Sequence, residues 1–200
     1  MSKKRVAIFG GTFDPPHLGH FILAEQIKNR FDLAKIIFMP AGKPPHKKDM
    51  VISPDQDRFE MLKLAVDENQ DFSLSDWELK EEGYSYTAKT LSQFVPKVDA
   101  EVVFFIIGAD SLAEIFKWKK PECLLSEGKF IVFNRSGYDF KKILSQQKYQ
   151  PYLNNILTYQ GLNIEISSSF IREELRNGNS IRYLTLDTIV KFIKENNLYR

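Results

Sequence analysis

The chain has 200 residues, a net charge of +2, a hydrophobic content of 43% and one cysteine, Cys123. This length suits one domain with a substantial core, and the small net charge argues against a global field that recruits nucleic acid or a membrane. One cysteine excludes an internal disulfide and a cysteine-rich zinc site. The sequence has no signal-peptide pattern and no run of about 18 apolar residues, so we expect a cytoplasmic protein without membrane partners.

The first half of the chain alternates short apolar strands with helical patterns. Strands are predicted at residues 5–9, 35–39 and 72–74, with helices at 18–29 and 54–68 between them. Ser53 and Pro54 predict the start of the second helix, with the serine as its cap and the proline at its first position. After residue 87 a further helix is expected to run to Val95 and to end at Pro96.

The second half continues this alternation. Residues 102–107 are the most strand-like stretch and should lie centrally in the sheet, and further strands are predicted at 129–133, 156–159 and 164–166. We interpret residues 138–150, which are polar, aromatic and weakly patterned, as a mobile or variable excursion. The last helices are predicted at 167–177 and 187–196.

This order of elements is typical of βαβ units and a parallel sheet. The sequence contains no internal repeat, low-complexity tract or linker, so it indicates no domain boundary. We therefore expect a single α/β domain over residues 1–200. Its predicted fold is a Rossmann-like, doubly wound parallel sheet flanked by helices, with a small C-terminal helical part.

The segment GGTFDPPHLGH, residues 10–20, joins the first strand to the first helix. Gly10 and Gly11 allow a sharp turn and a close approach to a ligand, and the following helix offers unpaired N–H groups to an anion. His17 and His20 are three positions apart, so both can point at one phosphate. A metal pair and a cap of the helix start are the alternatives, but no third metal ligand of convincing spacing is nearby.

Two further loops follow the ends of predicted strands. Lys43 and His46 lie in a rigid cationic loop after the second strand, where binding of an anion competes with a merely solvated surface. Gly108 and Asp110 follow the central strand, at the edge where open parallel sheets place their ligands. These loops therefore extend the candidate phosphate site along one edge of the sheet.

Two later features each have a functional and a plain structural interpretation. The segment ISSSFIR, residues 166–172, combines hydroxyl groups, a helix start and Arg172, which is suitable for a polyphosphate. Taken alone, it would be read as a serine cap with a surface arginine. Trp118 is either an ordinary half-buried aromatic residue or a platform on which a heteroaromatic ring stacks.

Together these motifs resemble the bacterial nicotinate-nucleotide adenylyltransferases. The resemblance spans nearly the whole chain and rests on residues 10–20, KPPHK at 43–47, SYT at 85–87, IIGADSL at 106–112, Trp118 and ISSSFIR at 166–172. A (T/H)xGH loop alone would indicate only the wider nucleotidyltransferase superfamily. The chain departs from the family pattern ISxTxxR at one place, where Ser169 replaces the threonine and keeps its hydroxyl group.

The resemblance implies an enzyme that transfers AMP from ATP to nicotinate mononucleotide, giving deamido-NAD and pyrophosphate. It implies that Mg²⁺ is held mainly by the ATP phosphates, without a dedicated protein metal site; Asp14 could be a ligand, but an Asp-Pro turn explains it equally well. The implied partners are these two small molecules and no nucleic acid, and the state of oligomerisation, including a homo-oligomer, is left open.

The same resemblance assigns roles to individual residues. The catalytic residues that it implies are His17, His20 and Arg172. The ATP-binding residues are Gly10, Gly11, Thr12, Phe13, His17, His20, Gly108, Asp110, Ile166, Ser167, Ser169 and Arg172. The residues implied for the mononucleotide are Phe13, Lys43, Ser85, Tyr86, Thr87, Trp118 and Lys119.

Two alternatives stay open at this point. The first is an adenylyl- or cytidylyltransferase for another phosphomonoester, such as nicotinamide mononucleotide or phosphopantetheine, which would share His17, His20 and the phosphate site. The second is a redox or noncatalytic dinucleotide-binding protein. That class favours GxGxxG in the first loop and an acidic residue after the second strand, whereas this chain has GGTFDP and Met39-Pro40.

Overall fold

The computed structural model describes residues 4–45 and 51–200. Its strands are β1 (Arg5–Gly11), β2 (Lys35–Pro40), β3 (Phe72–Leu74), β4 (Val102–Gly108), β5 (Lys129–Phe133) and β6 (Ile156–Tyr159). They form one sheet in the order β3-β2-β1-β4-β5-β6, and all five strand pairs are parallel. Because β1 and β4 occupy the middle of this sheet, the central position expected for residues 102–107 is confirmed.

Helices pack on both faces of the sheet. They are α1 (Leu18–Arg30), α2 (Asp55–Val66), α3 (Trp77–Lys80), α4 (Thr87–Lys89), α5 (Ala109–Glu114), α6 (Pro121–Glu127), α7 (Phe140–Leu144), α8 (Ser168–Arg176) and α9 (Asp187–Glu195). Successive residues of β1 point to opposite faces. Phe9 packs with Ala24 of α1, whereas Ile8 packs with Leu112 of α5 and Leu124 of α6. This two-sided core confirms the doubly wound arrangement.

A third apolar cluster joins α2 to the C-terminal helices. Met61 of α2 is buried together with Ile171 of α8 and with Ile189 and Ile193 of α9. The predicted C-terminal helical part is therefore confirmed, and it packs on the sheet domain through α2. Within residues 4–45 and 51–200, no helix has the length and apolar character needed to cross a membrane.

Two predictions for the second half are wrong. Residues 164–166 form no strand, because Ile166 leaves the sheet and packs in the cluster of α8 and α9. Residues 138–150 are an ordered part of the fold that contains α7 and the start of a 3₁₀ segment, Gln147–Asn155. Tyr149 explains this order, since it is fully buried and its hydroxyl group donates to the Leu112 carbonyl at 2.7 Å.

Two predicted helix boundaries are also wrong by small amounts. Helix α2 begins at Asp55 with Pro54 as its cap residue, one position later than predicted, and the N–H of Ser53 donates to the carboxylate of Asp14 at 3.3 Å. After α4 the chain continues through a π-helical segment, Thr90–Phe94, and a 3₁₀ turn, Val95–Lys97. Pro96 is accommodated in the first part of this turn, where a helix needs no N–H donor.

Candidate active site

A cleft of about 1160 Å³ lies where the carboxyl ends of β1 and β4 meet. From β1 the sheet grows through β2 to β3, and from β4 it grows in the other direction through β5 to β6. The loops after these two strands therefore diverge, and the crevice between them is the usual ligand site of an open parallel sheet. Gly10 and Gly11 line one side of the crevice, and Gly108 and Asp110 line the other.

Each of the two glycines at the end of β1 has its own structural reason for lacking a side chain. A Cβ atom on Gly10 would meet nothing within 4 Å, so the absence of a side chain leaves open space in the cleft. A Cβ atom on Gly11 would lie 2.9 Å from the ring of Phe13. Phe13 has a φ of 51° and is only 2% exposed, so its ring is folded back into the core beside Phe9 and Phe38. The loop therefore exposes its backbone to the cleft, whereas the ring of Phe13 packs in the core.

His17 and His20 lie together at the start of α1. Their rings stack with centroids 3.6 Å apart and an angle of 25° between the ring planes. The backbone N–H of His17 donates to Nδ1 of His20 at 3.2 Å, which leaves the proton of a neutral His20 imidazole on Nε2. His20 can therefore donate a hydrogen bond from Nε2, and a phosphate oxygen can accept such a bond.

His17 is uncharged at neutral pH. Burial, reinforced by the positive charge of Arg135, lowers the pKa of His17 to about 4. Among the residues that the structure describes, Nδ1 of His17 has no hydrogen-bond partner. A buried polar atom without a hydrogen-bond partner is uncommon in proteins. Its presence marks a position where packing or function outweighs the cost of the missing hydrogen bond.

Helix α8 supplies the cationic and hydroxyl groups on the other side of the phosphate region. Ser167 caps the helix by accepting the N–H of Phe170 at 3.1 Å. Arg172 donates to the Asp14 carbonyl at 2.6 Å and to Ser169 Oγ at 3.2 Å. We call the part of the cleft formed by His17, His20, Ser167, Ser169 and Arg172 the phosphate half.

The opposite part of the cleft is rich in aromatic and hydroxyl groups. Ser85 Oγ accepts the N–H groups of Gly42 at 3.0 Å and Lys43 at 3.3 Å, which ties the loop after β2 to the SYT segment. Lys119 Nζ lies 4.4 Å from the centroid of the Tyr86 ring. We call the part formed by Ser85, Tyr86, Thr87, Trp118 and Lys119 the aromatic half.

Glu78 contributes a carboxyl group to the lining of the cleft beside the aromatic half. Thr90 Oγ1 donates to it at 2.6 Å. Burial raises the pKa of Glu78, and hydrogen bonds from Thr90 and Ser85 oppose this effect. The carboxyl group thus connects Ser85 to Thr90 at the base of the site.

The donor set of the cleft suits anions better than a divalent cation. Within residues 4–45 and 51–200, no group of three His, Cys, Asp or Glu side chains could hold a metal ion. The Asp14 carboxylate accepts hydrogen bonds from Tyr199 and from the N–H of Ser53, and Asp110 is paired with Arg135 at 3.8 Å.

Comparison with known proteins decides the family. The cytidylyltransferase-like family matches residues 8–174. A probable nicotinate-nucleotide adenylyltransferase of Clostridium acetobutylicum is 42% identical over 198 residues, which cover 98% of this chain and 99% of the relative. A second protein of that name, from Clostridium botulinum, is 41% identical over 199 residues and covers 98% of both chains. The chain belongs to the nicotinate-nucleotide adenylyltransferase family.

A solved structure supports the same fold for this nicotinate-nucleotide adenylyltransferase. The nicotinic acid mononucleotide adenylyltransferase of Plasmodium falciparum, complexed with NaAD, superposes with a TM-score of 0.81. The match covers 98% of this chain and 97% of the other at 21% identity. The Rossmann-like fold predicted from the sequence is therefore confirmed.

The cleft of this adenylyltransferase brings together most of the residues selected from the sequence. Those from the first loop and from the two later loops that line it are Gly10, Gly11, Thr12, Phe13, His17, His20, Gly108, Asp110, Ile166, Ser167, Ser169 and Arg172. Those of the aromatic half that line it are Ser85, Tyr86, Thr87, Trp118 and Lys119. The exposed Lys43 lies outside this lining, although its backbone bonds to Ser85. His46 lies outside the described residues.

Sequence reasoning missed two arginines of the site. Arg135 lines the cleft and lies two residues after the end of β5, so its place near the carboxyl end of a strand was a readable signal. Arg58 is fully buried in α2, where it donates to the Thr12 carbonyl at 2.8 Å and to the Ser53 carbonyl at 3.2 Å. Its signal was a charged residue at the helical spacing of the apolar stripe, three positions before Met61.

Proposed function

We propose that this protein transfers the AMP group of ATP to nicotinate mononucleotide and releases pyrophosphate, with residues 1–200 acting as one nucleotidyltransferase domain. One observation carries the proposal: a single cleft joins the phosphate half to the aromatic half across the carboxyl ends of β1 and β4. Such a cleft can hold two nucleotides with their phosphates adjacent. The names of the 41% and 42% identical relatives support the same reaction.

The reaction needs positioning and charge neutralisation more than it needs a base. A phosphate oxygen of the mononucleotide attacks the α-phosphorus of ATP, a new P–O bond forms, and the bond to the β-phosphate oxygen breaks to release pyrophosphate. Because the attacking oxygen is already anionic, no proton has to be removed. This is consistent with a cleft in which the buried His17 is uncharged and the Asp14 carboxylate is occupied by Tyr199.

The phosphate half supplies the groups that stabilise the transition state. His20 donates a hydrogen bond from Nε2 to the α-phosphate, where negative charge increases during in-line transfer. Arg172, Ser167 and Ser169 hold the β- and γ-phosphates at the start of α8, and His17 contacts the phosphates beside His20. Gly10, Gly11, Thr12 and Ile166 form the walls of this half. Mg²⁺ is carried by the ATP phosphates and water.

The aromatic half binds the mononucleotide. Trp118 provides a flat surface on which the pyridine ring stacks, and the backbone near Thr87 and at Lys119 offers N–H donors to its carboxylate. Donors at this position favour nicotinate over the corresponding amide. Ser85, Tyr86 and Phe13 complete the pocket, Lys43 contacts the phosphate, and Gly108 and Asp110 meet the ribose or base of a nucleotide. We place the reaction in the cytoplasm.

The test is pyrophosphate release from ATP and Mg²⁺ with nicotinate mononucleotide, nicotinamide mononucleotide and phosphopantetheine as acceptors. We expect kcat/KM for the nicotinate compound to exceed that for the amide by about 100-fold or more, since donors built for a carboxylate are left unpaired by the amide. A preference for phosphopantetheine would refute the substrate assignment. Absorbance of a bound nicotinamide cofactor, without pyrophosphate release, would instead indicate a redox or noncatalytic protein.

The matched control in this assay is His20→Ala. Loss of one hydrogen-bond donor to the transition state lowers kcat by roughly two to three orders of magnitude, with a smaller effect on KM. That result would assign the activity to this cleft and exclude a contaminating enzyme. A loss of about tenfold or less would show that His20 does not have the proposed role.

A further inference from the structure

The loop that carries the two histidines is held by the C-terminal third of the chain. Three successive carbonyl groups of this loop accept hydrogen bonds from side chains of that region. The bonds run from Arg172 to Asp14 at 2.6 Å, from Ser168 to Pro15 at 2.8 Å and from Thr185 to Pro16 at 2.8 Å. Because a proline has no N–H group, carbonyl oxygens are the only backbone hydrogen-bonding groups by which residues 15 and 16 can be held.

Tyr199, beyond the end of α9, adds a contact to a side chain of the same loop. Its hydroxyl group donates to Oδ1 of Asp14 at 2.7 Å, while Oδ2 of Asp14 accepts the N–H of Ser53 at 3.3 Å. Asp14 is only 4% exposed, so its carboxylate depends on protein donors. Burial and the neighbouring Asp14 raise the pKa of Tyr199, so the tyrosine remains a protonated donor.

The backbone after α9 brings Tyr199 back toward this loop. The chain turns back after α9, where the N–H of Leu198 donates to the Ile193 carbonyl at 3.0 Å. Tyr199 has a φ of 65° and Asn197 has a φ of 52°, both in the left-handed region. The exposed Tyr183 also has a positive φ, 67°, so the dihedral angle alone does not distinguish Tyr199. What distinguishes Tyr199 is the hydrogen bond from its hydroxyl group to the buried Asp14 carboxylate.

We propose that Tyr199 is a positioning residue for adenylyl transfer: its hydroxyl group fixes the Asp14 carboxylate and thereby the place of His17 and His20 relative to α8. This inference rests on the proposed function. Asp14 lines the cleft, whereas Tyr199 reaches it only through Asp14. Displacement of reacting groups by about 1 Å can lower a rate by about 100-fold. Loss of the contact between Tyr199 and Asp14 should therefore lower kcat, because the loop that carries the histidines is then less well fixed.

The test compares the wild-type enzyme with Tyr199→Phe, which removes the hydroxyl group and keeps the ring. We expect kcat to fall by about tenfold while KM for the mononucleotide changes by less than about twofold, since the aromatic half is untouched. The matched control is Tyr183→Phe, at a tyrosine that is 79% exposed. The control should keep the wild-type kcat.

A second pair of variants asks whether Tyr199 acts through Asp14. In an Asp14→Ala enzyme the hydroxyl group has lost its carboxylate acceptor and keeps only its contact with the Ser53 side chain, so adding Tyr199→Phe should change kcat by less than about twofold. The proposal would be overturned if Tyr199→Phe lowered kcat by the same factor in the wild-type enzyme and in the Asp14→Ala enzyme. It would also be overturned by a Tyr199→Phe enzyme with wild-type kcat, or by a loss that only matches a lower folded fraction in circular dichroism.

The two proposals fail in different ways in this experiment. If the wild-type protein forms no product from nicotinate mononucleotide, the proposed substrate is wrong, and the same variants are compared on the phosphomonoester that the acceptor panel identifies. If the wild-type protein is active and Tyr199→Phe matches it, the positioning role alone is wrong. A lower kcat that depends on Asp14 supports the positioning role for either acceptor.

Discussion

At the scale of single residues, His17 shows how burial determines a chemical state. Its side chain is 7% exposed, its ring stacks on His20, and its pKa is lowered to about 4 by burial and then by Arg135. A neutral imidazole is much less costly to bury than a charged one. The positive charge on the lining of the cleft is therefore supplied by arginine and lysine side chains, namely Arg135, Arg172, Lys117 and Lys119.

The lowered pKa of His17 makes folding depend on pH in a defined direction. The unfolded chain binds a proton at this histidine below about pH 6.5, whereas the folded chain binds it only near pH 4, so stability falls as the pH decreases through this window. Between pH 7.5 and 5 the loss from this group is about 2 kcal/mol. Urea unfolding of His17→Gln should show a pH-dependent loss smaller by that amount. Parallel stability profiles for the two proteins would contradict the prediction.

At the scale of secondary-structure elements, α2 supports the loop between β1 and α1. Arg58 is fully buried and donates to the Thr12 carbonyl at 2.8 Å and to the Ser53 carbonyl at 3.2 Å. It also pairs with Asp55 at the start of the same helix. Together with Arg172 of α8, Arg58 holds the backbone on both sides of Phe13, so two helices from distant parts of the chain fix one short loop.

Replacement of Arg58 tests this support. Arg58→Met keeps a long apolar side chain but leaves two partly buried carbonyl groups without their donor, and we expect the free energy of unfolding to fall by about 2–4 kcal/mol. Urea unfolding at neutral pH measures the loss. Lys63→Met, at an exposed position of the same helix, is the matched control and should change stability by less than about 0.5 kcal/mol. Equal stability of the two variants would show that Arg58 is dispensable for the loop.

At the scale of the whole molecule, the strand order creates one cleft with two chemically different halves. The loops after β1 and β4 part at the switch point, and α8 adds Ser167, Ser169 and Arg172 to one side. The other side receives Trp118 from the segment after α5 and Tyr86 from the segment before α4. The two halves should therefore respond separately to mutation.

Trp118→Ala tests this separation. Loss of the stacking surface should raise KM for nicotinate mononucleotide by about tenfold, which corresponds to about 1.4 kcal/mol, with KM for ATP nearly unchanged. Steady-state kinetics with each substrate varied in turn would show the difference, and Trp118→Phe should recover part of the loss because it restores a flat ring. A rise in KM for ATP alone would mean that the assignment of the two halves is reversed.

Local physics explains what could be predicted from the sequence. Apolar runs of four to seven residues identify buried parallel strands, and the glycines, prolines and histidines of residues 10–20 identify a loop that can approach an anion without any knowledge of tertiary contacts. The predictions failed where distant contacts decide the outcome. Tyr149 orders a polar segment by bonding to Leu112, and Ile166 packs with α8 and α9 instead of joining the sheet.

Most element types and the family could be predicted from the sequence alone, because these depend on residue types at short spacings. Only the tertiary structure decided the strand order, the neutral state of His17 and the convergence of Arg58, Arg172 and Tyr199 on one loop. Each of these results depends on burial or on hydrogen bonds between residues far apart in the chain, such as the 185 positions that separate Asp14 from Tyr199. The spacing of two residues along the sequence does not give the distance between them in the folded protein.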